Sequence, residues 1–222
     1  SAQAVGSHTR TDAASAAGRF NDENVPGQVP QRKGEPGVFR KDEGFRADIT
    51  AESLGKLRVL LPNGTVTAGN ASQQNDASAA CLIVAEDKLA ELGLTPMATL
   101  VGWAAAGCEP SHMGIGPVPA VKKLLARLNL KIDDMDLVEL NEAFACQVLS
   151  VLKGWEWQDQ DAIAHKLNVN GSGISLGHPI GATGALITVK ALHELQRVQG
   201  RFALVTMCIG GGQGIAAIFE RL

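Results

Sequence analysis

Apolar residues recur at helical spacing from Ala77 to Leu92, through AACLIVAEDKLAELG, and stop at Gly93, a residue suited to the left-handed position that closes a helix. The spacing predicts a helix over 77–92. Met97 to Ala106 then reads as a buried strand, and Pro119 to Leu128 as a helix opened by proline, with Lys122, Lys123 and Arg127 on its wet face. Leu137 to Leu140 reads as a short strand, Glu142 to Leu152 and Ala182 to Gln196 as helices, and ALVTMCIG and GIAAIFE as two strands. Gly210-Gly-Gly-Gln-Gly214 joins these strands and is short enough for an antiparallel hairpin, so a layered α/β fold with a mixed sheet is predicted. Residues 1–66 are poor in apolar runs and rich in Gly, Pro and charge, with one helix over Thr11 to Ala17 that ends near Gly18. They read as a peripheral, loop-rich region. One boundary falls near Leu94 to Met97.

Composition narrows the function classes. The 222 residues are 45% hydrophobic, enough for one sizeable core or two modest lobes. A formal net charge of −3, from 20 basic and 23 acidic residues, leaves no block of positive charge to neutralise phosphates, so nucleic acid is not an expected partner. No apolar stretch approaches the roughly 20 residues needed to span a bilayer, and no secretory signal opens the sequence, so a soluble protein is expected. Cysteines at 81, 108, 146 and 208 form neither a CxxC pair nor a disulfide framework, which favours a reducing, cytoplasmic setting. The histidines are scattered, and no metal site is expected.

Four constellations carry candidate chemistry. NGSGISLGHPIGATG, residues 170–184, is a glycine-dense loop feeding an apolar helix, without the Gly-Lys-Ser/Thr of a phosphate loop. His178, between Gly177 and Pro179, is a candidate general base. Cys208 ends an apolar strand and is followed by bare backbone at Ile-Gly-Gly-Gly. A cysteine in an apolar run is ordinarily inert core, but here a thiol sits beside unobstructed N–H donors, as thioester chemistry requires. Glu139 to Ala145 runs a strand into a helix, with Asn141 and Glu142 at the junction, where a helix cap with an acidic first turn is the ordinary explanation. Thr67 to Ser72, with Asn75-Asp76 beyond, reads on its own as a turn and a cap.

Taken together, TVTAGNAS, MGIGPVPA, NEAFA, NVNGSGISLGHPIGATGA and CIGGGQG, in this order, resemble the C-terminal landmarks of thiolases. Ketoacyl synthases share the fold but lack the NEAF asparagine and the terminal cysteine. The resemblance implies a thiolase-like layered fold, a C-terminal half whose mixed sheet is flanked by helices, plus part of the loop region. The domains would be 1–66, a partial loop domain; 67–96, a CoA-contact turn and helix; and 97–222, the C-terminal domain. It also implies an acyl-CoA C-acyltransferase of fatty acid metabolism, which acts on coenzyme A thioesters as substrates and holds no permanently bound cofactor. By this resemblance His178 would be a base and, with a water held by Asn141, an oxyanion donor. Cys208 would be the acid/base at the α-carbon, and the Gly210 N–H part of a second oxyanion hole. Ser72 would touch pantetheine, Arg32 would lie near the nucleotide, and Met113 and Phe144 would line the acyl tunnel.

No segment resembles the one that bears the family's acyl-carrying cysteine. The expectation is therefore a C-terminal part only, incomplete without an N-terminal chain that supplies the nucleophile, and assembled as a homo- or hetero-oligomer. A non-catalytic CoA-binding or scaffold subunit is the alternative. Gln73 and Gln74 also stand where thiolases commonly have a glycine and an apolar residue, which puts two amides beside the expected pantetheine track.

Overall fold

A computed structural model describes residues 1–222. A small antiparallel ribbon, β1 (Gly27–Val29) with β2 (Gly37–Phe39), precedes the main sheet. That sheet consists of β3 (Ala98–Gly107), β4 (Leu137–Leu140), β5 (Phe202–Ile209) and β6 (Gln213–Arg221), in the spatial order β3-β6-β5-β4. β4 runs parallel to β5, while β6 is antiparallel to both β5 and β3. Three helices precede the sheet in sequence: α1 (Ala2–Ala16), α2 (Ala51–Gly55) and α3 (Leu89–Leu92). α4 (Pro117–Leu128) follows β3, and α5 (Ala145–Gly154) follows β4. α6 (Gln160–Lys166), α7 (Gly173–Leu176) and α8 (Thr183–Val198) then lead to β5.

Alternation along the central strands divides the core. Val138, Leu140 and Leu204 face α4 and α5, where Val121, Leu124, Val148 and Val151 complete a buried cluster with Ile218. Leu137, Ala203 and Val205 point the other way, against Ile187, Ala191 and Leu195 of α8. Because both faces are covered, these strands read as continuous apolar runs. The layers fix the strand ends, which is where the chemistry-bearing residues emerge.

Three expectations need correction. Ala77–Ala85 carries no helix; a 3₁₀ turn at Glu86–Lys88 and the single turn of α3 are the only helical residues in 77–92. The helical spacing was present, but most helical stability comes from packing an apolar face, and here Leu82 and Ile83 are 76% and 88% exposed. β3 is not buried but lies at the sheet edge, with Leu100 and Trp103 half exposed. Residues 1–66 are not wholly peripheral either. α1 begins nine residues before the predicted helix, and its Ser7, His8 and Thr11 are buried. Its inward face combines Ala4 and Ala14 with Ser7, His8 and Thr11, so no stripe of large apolar residues could reveal it.

Candidate active site

The main-chain N–H of Asn141 donates to the carbonyl of Thr206 at 3.0 Å, extending the parallel pairing of Leu140 with Thr206. Cys208 lies two residues further along β5, opposite Gly214 on β6. Asn141 and the Cys208 strand end are thereby set side by side by sheet register. Asn141 is fully buried, yet neither Nδ2 nor Oδ1 of its amide has a hydrogen-bond partner. It is not a helix cap: α5 starts at Ala145 with Phe144 as N-cap, and the Gln147 side chain accepts from the N–H of Ala143 at 3.1 Å. An unpaired buried amide costs about 1–3 kcal/mol.

The glycine turn after Cys208 is shaped by close approach. Gly211 and Gly212 have φ of 83° and 84°, and a Cβ on Gly212 would stand 2.4 Å from the Cys108 carbonyl. The Gly212 carbonyl in turn accepts from the Cys108 N–H at 2.8 Å. Gly210 is exposed, with nothing within 4 Å of where a Cβ would sit. Its backbone is open to a ligand. Burial pushes the Cys208 thiol up, with nearby Cys108 adding in the same direction and a main-chain hydrogen bond opposing both.

His178 is half-buried, and burial lowers its pKa, so the imidazole is neutral at pH 7. Its Nδ1 lies 2.7 Å from the Thr183 hydroxyl, which donates its one proton to the Pro179 carbonyl at 2.9 Å. The hydroxyl can then only accept from the ring, so Nδ1 carries the hydrogen and Nε2 keeps its lone pair. That tautomer is the one a base needs. No hydrogen bond joins this ring to the Cys208 thiol.

The Thr67–Ser72 turn closes the site from a third side. Ser72 N–H donates to the Ala143 carbonyl at 2.9 Å, Ala145 N–H to the Asn70 carbonyl at 2.8 Å, and His178 N–H to the Gln73 carbonyl at 2.9 Å. Ser72, Phe144 and His178 are thus tied together through main-chain bonds. Phe144, Ser72 and Met113 are all partly exposed, whereas Arg32 is fully on the surface between β1 and β2.

Glu142 is the residue whose importance sequence reasoning missed. Its carboxylate, fully buried, accepts from Ser7 Oγ at 2.5 Å, Gln3 Nε2 at 3.0 Å and Asn168 Nδ2 at 3.3 Å, with Arg10 Nη2 at 3.5 Å. Ser7 and Thr11 both bond the Ser175 hydroxyl, at 2.8 and 2.7 Å. Asn168 braces the end of β4 through both amide atoms, at 2.9 and 2.8 Å from Leu140. One carboxylate gathers α1, the NEAF junction and the histidine loop. Its only sequence signal was an acidic residue near a helix start, which is commonplace.

Comparison with known proteins places this geometry. Residues 94–221 match the C-terminal domain of thiolase, and residues 1–87 match its N-terminal domain. The chain belongs to the thiolase family. It is 56% identical over 221 residues to beta-ketothiolase BktB of Cupriavidus necator, covering 99% of this chain and 55% of that protein. An acetyl-CoA acetyltransferase of Allochromatium vinosum is 50% identical over 220 residues, again 99% of this chain and 55% of the relative. Among solved structures, the Bacillus anthracis acetyl-CoA acetyltransferase superposes with a TM-score of 0.91 at 45% identity, covering 99% of this chain and 54% of that one. The human mitochondrial 3-ketoacyl-CoA thiolase gives 0.88 at 44% identity, with the same coverage. This thiolase chain spans about half the length of the relatives it matches.

The match over 1–87 overturns the expectation of a C-terminal part only. Segments of both thiolase domains lie in this one chain, so neither the fold nor the activity is to be described as a C-terminal half awaiting a separate N-terminal chain that brings the nucleophile. The packing agrees: α1 and the Ser72 turn, both within the N-terminal match, are bonded directly to Glu142, Ala143 and the histidine loop. The expectation rested on the absence of a segment resembling the one that bears the acyl-carrying cysteine, whereas the N-terminal match covers residues 1–87. As a thiolase, the chain has coenzyme A thioester chemistry as its family setting, which calls for no bound metal, and no cluster of metal-ligating side chains is present.

Proposed function

We infer that this chain acts as an acyl-CoA C-acyltransferase, interconverting 3-ketoacyl-CoA and acetyl-CoA by reversible Claisen condensation and thiolysis. The observation that carries the reading is the buried, unpaired amide of Asn141, held beside the strand end that bears Cys208. In the cleavage direction His178 Nε2 takes the proton from the acyl-accepting thiol, whose sulfur bonds to the 3-keto carbon and then passes the acyl group to free CoA, while the Nδ1–H stays anchored on Thr183. The negative charge that develops on the acyl oxygen is met by donors from the imidazole and from a water on the Asn141 amide, and by the Gly210 N–H at the second carbonyl. The carbon–carbon bond breaks toward the acetyl fragment, and the Cys208 thiol protonates its α-carbon. In condensation the Cys208 thiolate removes that same proton.

In this reading Ser72 contacts the pantetheine arm, Met113 and Phe144 line the acyl path, and Arg32 meets the nucleotide end. Cys208 has to remain a thiol, which suits a reducing, cytoplasmic compartment. No helix is long and apolar enough to cross a membrane.

His178→Ala is expected to lower acetoacetyl-CoA thiolysis by about 10²-fold, since a base and an oxyanion donor are lost together. In the wild type, protonation of Nε2 abolishes the base. Because burial lowers the His178 pKa below its ordinary 6.5, the acid limb of kcat/KM should lie below pH 6.5. A limb above 6.5, or a fully active His178→Ala variant, would remove His178 from this role.

A further inference from the structure

The Gln73 side chain reaches the main-chain carbonyls of two separate loops. Its Nε2 lies 2.7 Å from the Gly44 carbonyl, 3.0 Å from that of Ile174 and 3.3 Å from that of Ser175. Its own main-chain carbonyl accepts the His178 N–H at 2.9 Å. A single residue therefore bonds both ends of the segment 174–178 and ties it to the loop that contains Gly44.

The surroundings leave little slack. A Cβ at Gly44 would stand 2.9 Å from the Ser175 carbonyl, and a Cβ at Gly177 would stand 2.1 Å from Asn75 Oδ1, with φ of 95° at Gly177. The strap from Ser72 to Asn75 is thus sandwiched between the Gly44 loop and the histidine loop. Glycine at position 73 could supply the main-chain bond to His178 but none of the three side-chain contacts. We propose that Gln73 is a positioning residue, whose amide locks the histidine loop against the Gly44 loop and so fixes the orientation of His178 for proton transfer. The proposal rests on the role given to His178 above, but its structural part does not depend on turnover.

Two variants test it. Gln73→Met keeps length and volume and removes the donors; Gln73→Gly removes the whole side chain and leaves only the main-chain carbonyl that His178 bonds. Hydrogen exchange of the amides of residues 173–178 is expected to rise about 10-fold in both, the size that losing one or two net hydrogen bonds gives, with β5 and β6 unchanged. The nitrogen resonances of the His178 ring should show loss of the pure Nδ1–H tautomer. Thiolysis kcat should fall about 10-fold, while KM for acetoacetyl-CoA stays within about twofold. Unchanged exchange over 173–178 would overturn the proposal. So would a raised KM with kcat intact, which would assign Gln73 to substrate contact instead. If the wild type shows no thiolysis, the function proposed above fails, and the exchange and ring-tautomer measurements still decide whether Gln73 positions His178.

Discussion

Cys208→Ala is expected to suppress exchange of the acetyl-CoA methyl protons with solvent by about 10²- to 10⁴-fold, the range for loss of a positioned general acid or base. The thiol is 3% exposed at the end of β5, and burial holds it in the protonated form. That suits donation of a proton to a carbon leaving as an enolate. Alanine nearly preserves the packing, so the folded state should persist and the loss can be read as chemistry. Deuterium uptake into acetyl-CoA in heavy water, followed by mass spectrometry, measures the step without requiring net turnover. Uptake at the wild-type rate in Cys208→Ala would assign the α-proton to another group.

Glu142→Ala is expected to destabilise the fold by about 3–5 kcal/mol, as when one partner is removed from a buried charged network. The carboxylate is wholly excluded from water and satisfies Ser7, Gln3 and Asn168 while facing Arg10. Without it, several buried donors are left unpaired at the junction of α1, α5 and the histidine loop. Glu142→Gln should cost less, because the amide oxygen still accepts, although its NH₂ then confronts a donor. Urea unfolding of the three proteins gives the comparison. A shift in Glu142→Ala worth under about 1 kcal/mol would mean that these bonds add little to stability.

Local patterns were legible where apolar burial did the organising. The strand at Leu137–Leu140, the hairpin of β5 and β6 and the helices α4, α5 and α8 could be read from alternation, spacing and glycine, because each buries an apolar face against a neighbour. The histidine and cysteine positions stood out because glycines surrounded them. What failed to show was polar burial. Ser7, Thr11, Ser175, Asn168 and Glu142 form the joint between α1 and the site, yet each has a commonplace surface explanation in sequence. The same blindness made residues 1–66 read as peripheral. The opposite error occurred at Ala77–Leu92, where helical spacing was real but residues 77–85 are non-helical and mostly exposed. The tautomer of His178 was also beyond reach, since it is set by Thr183, five residues away.

Cleavage of acetoacetyl-CoA by free CoA, measured on the purified folded chain, tests the proposed acyltransferase most directly. CoA-dependent conversion to acetyl-CoA, strongly reduced in His178→Ala and Cys208→Ala, is the predicted result; a folded protein that gives no CoA-dependent cleavage would contradict it.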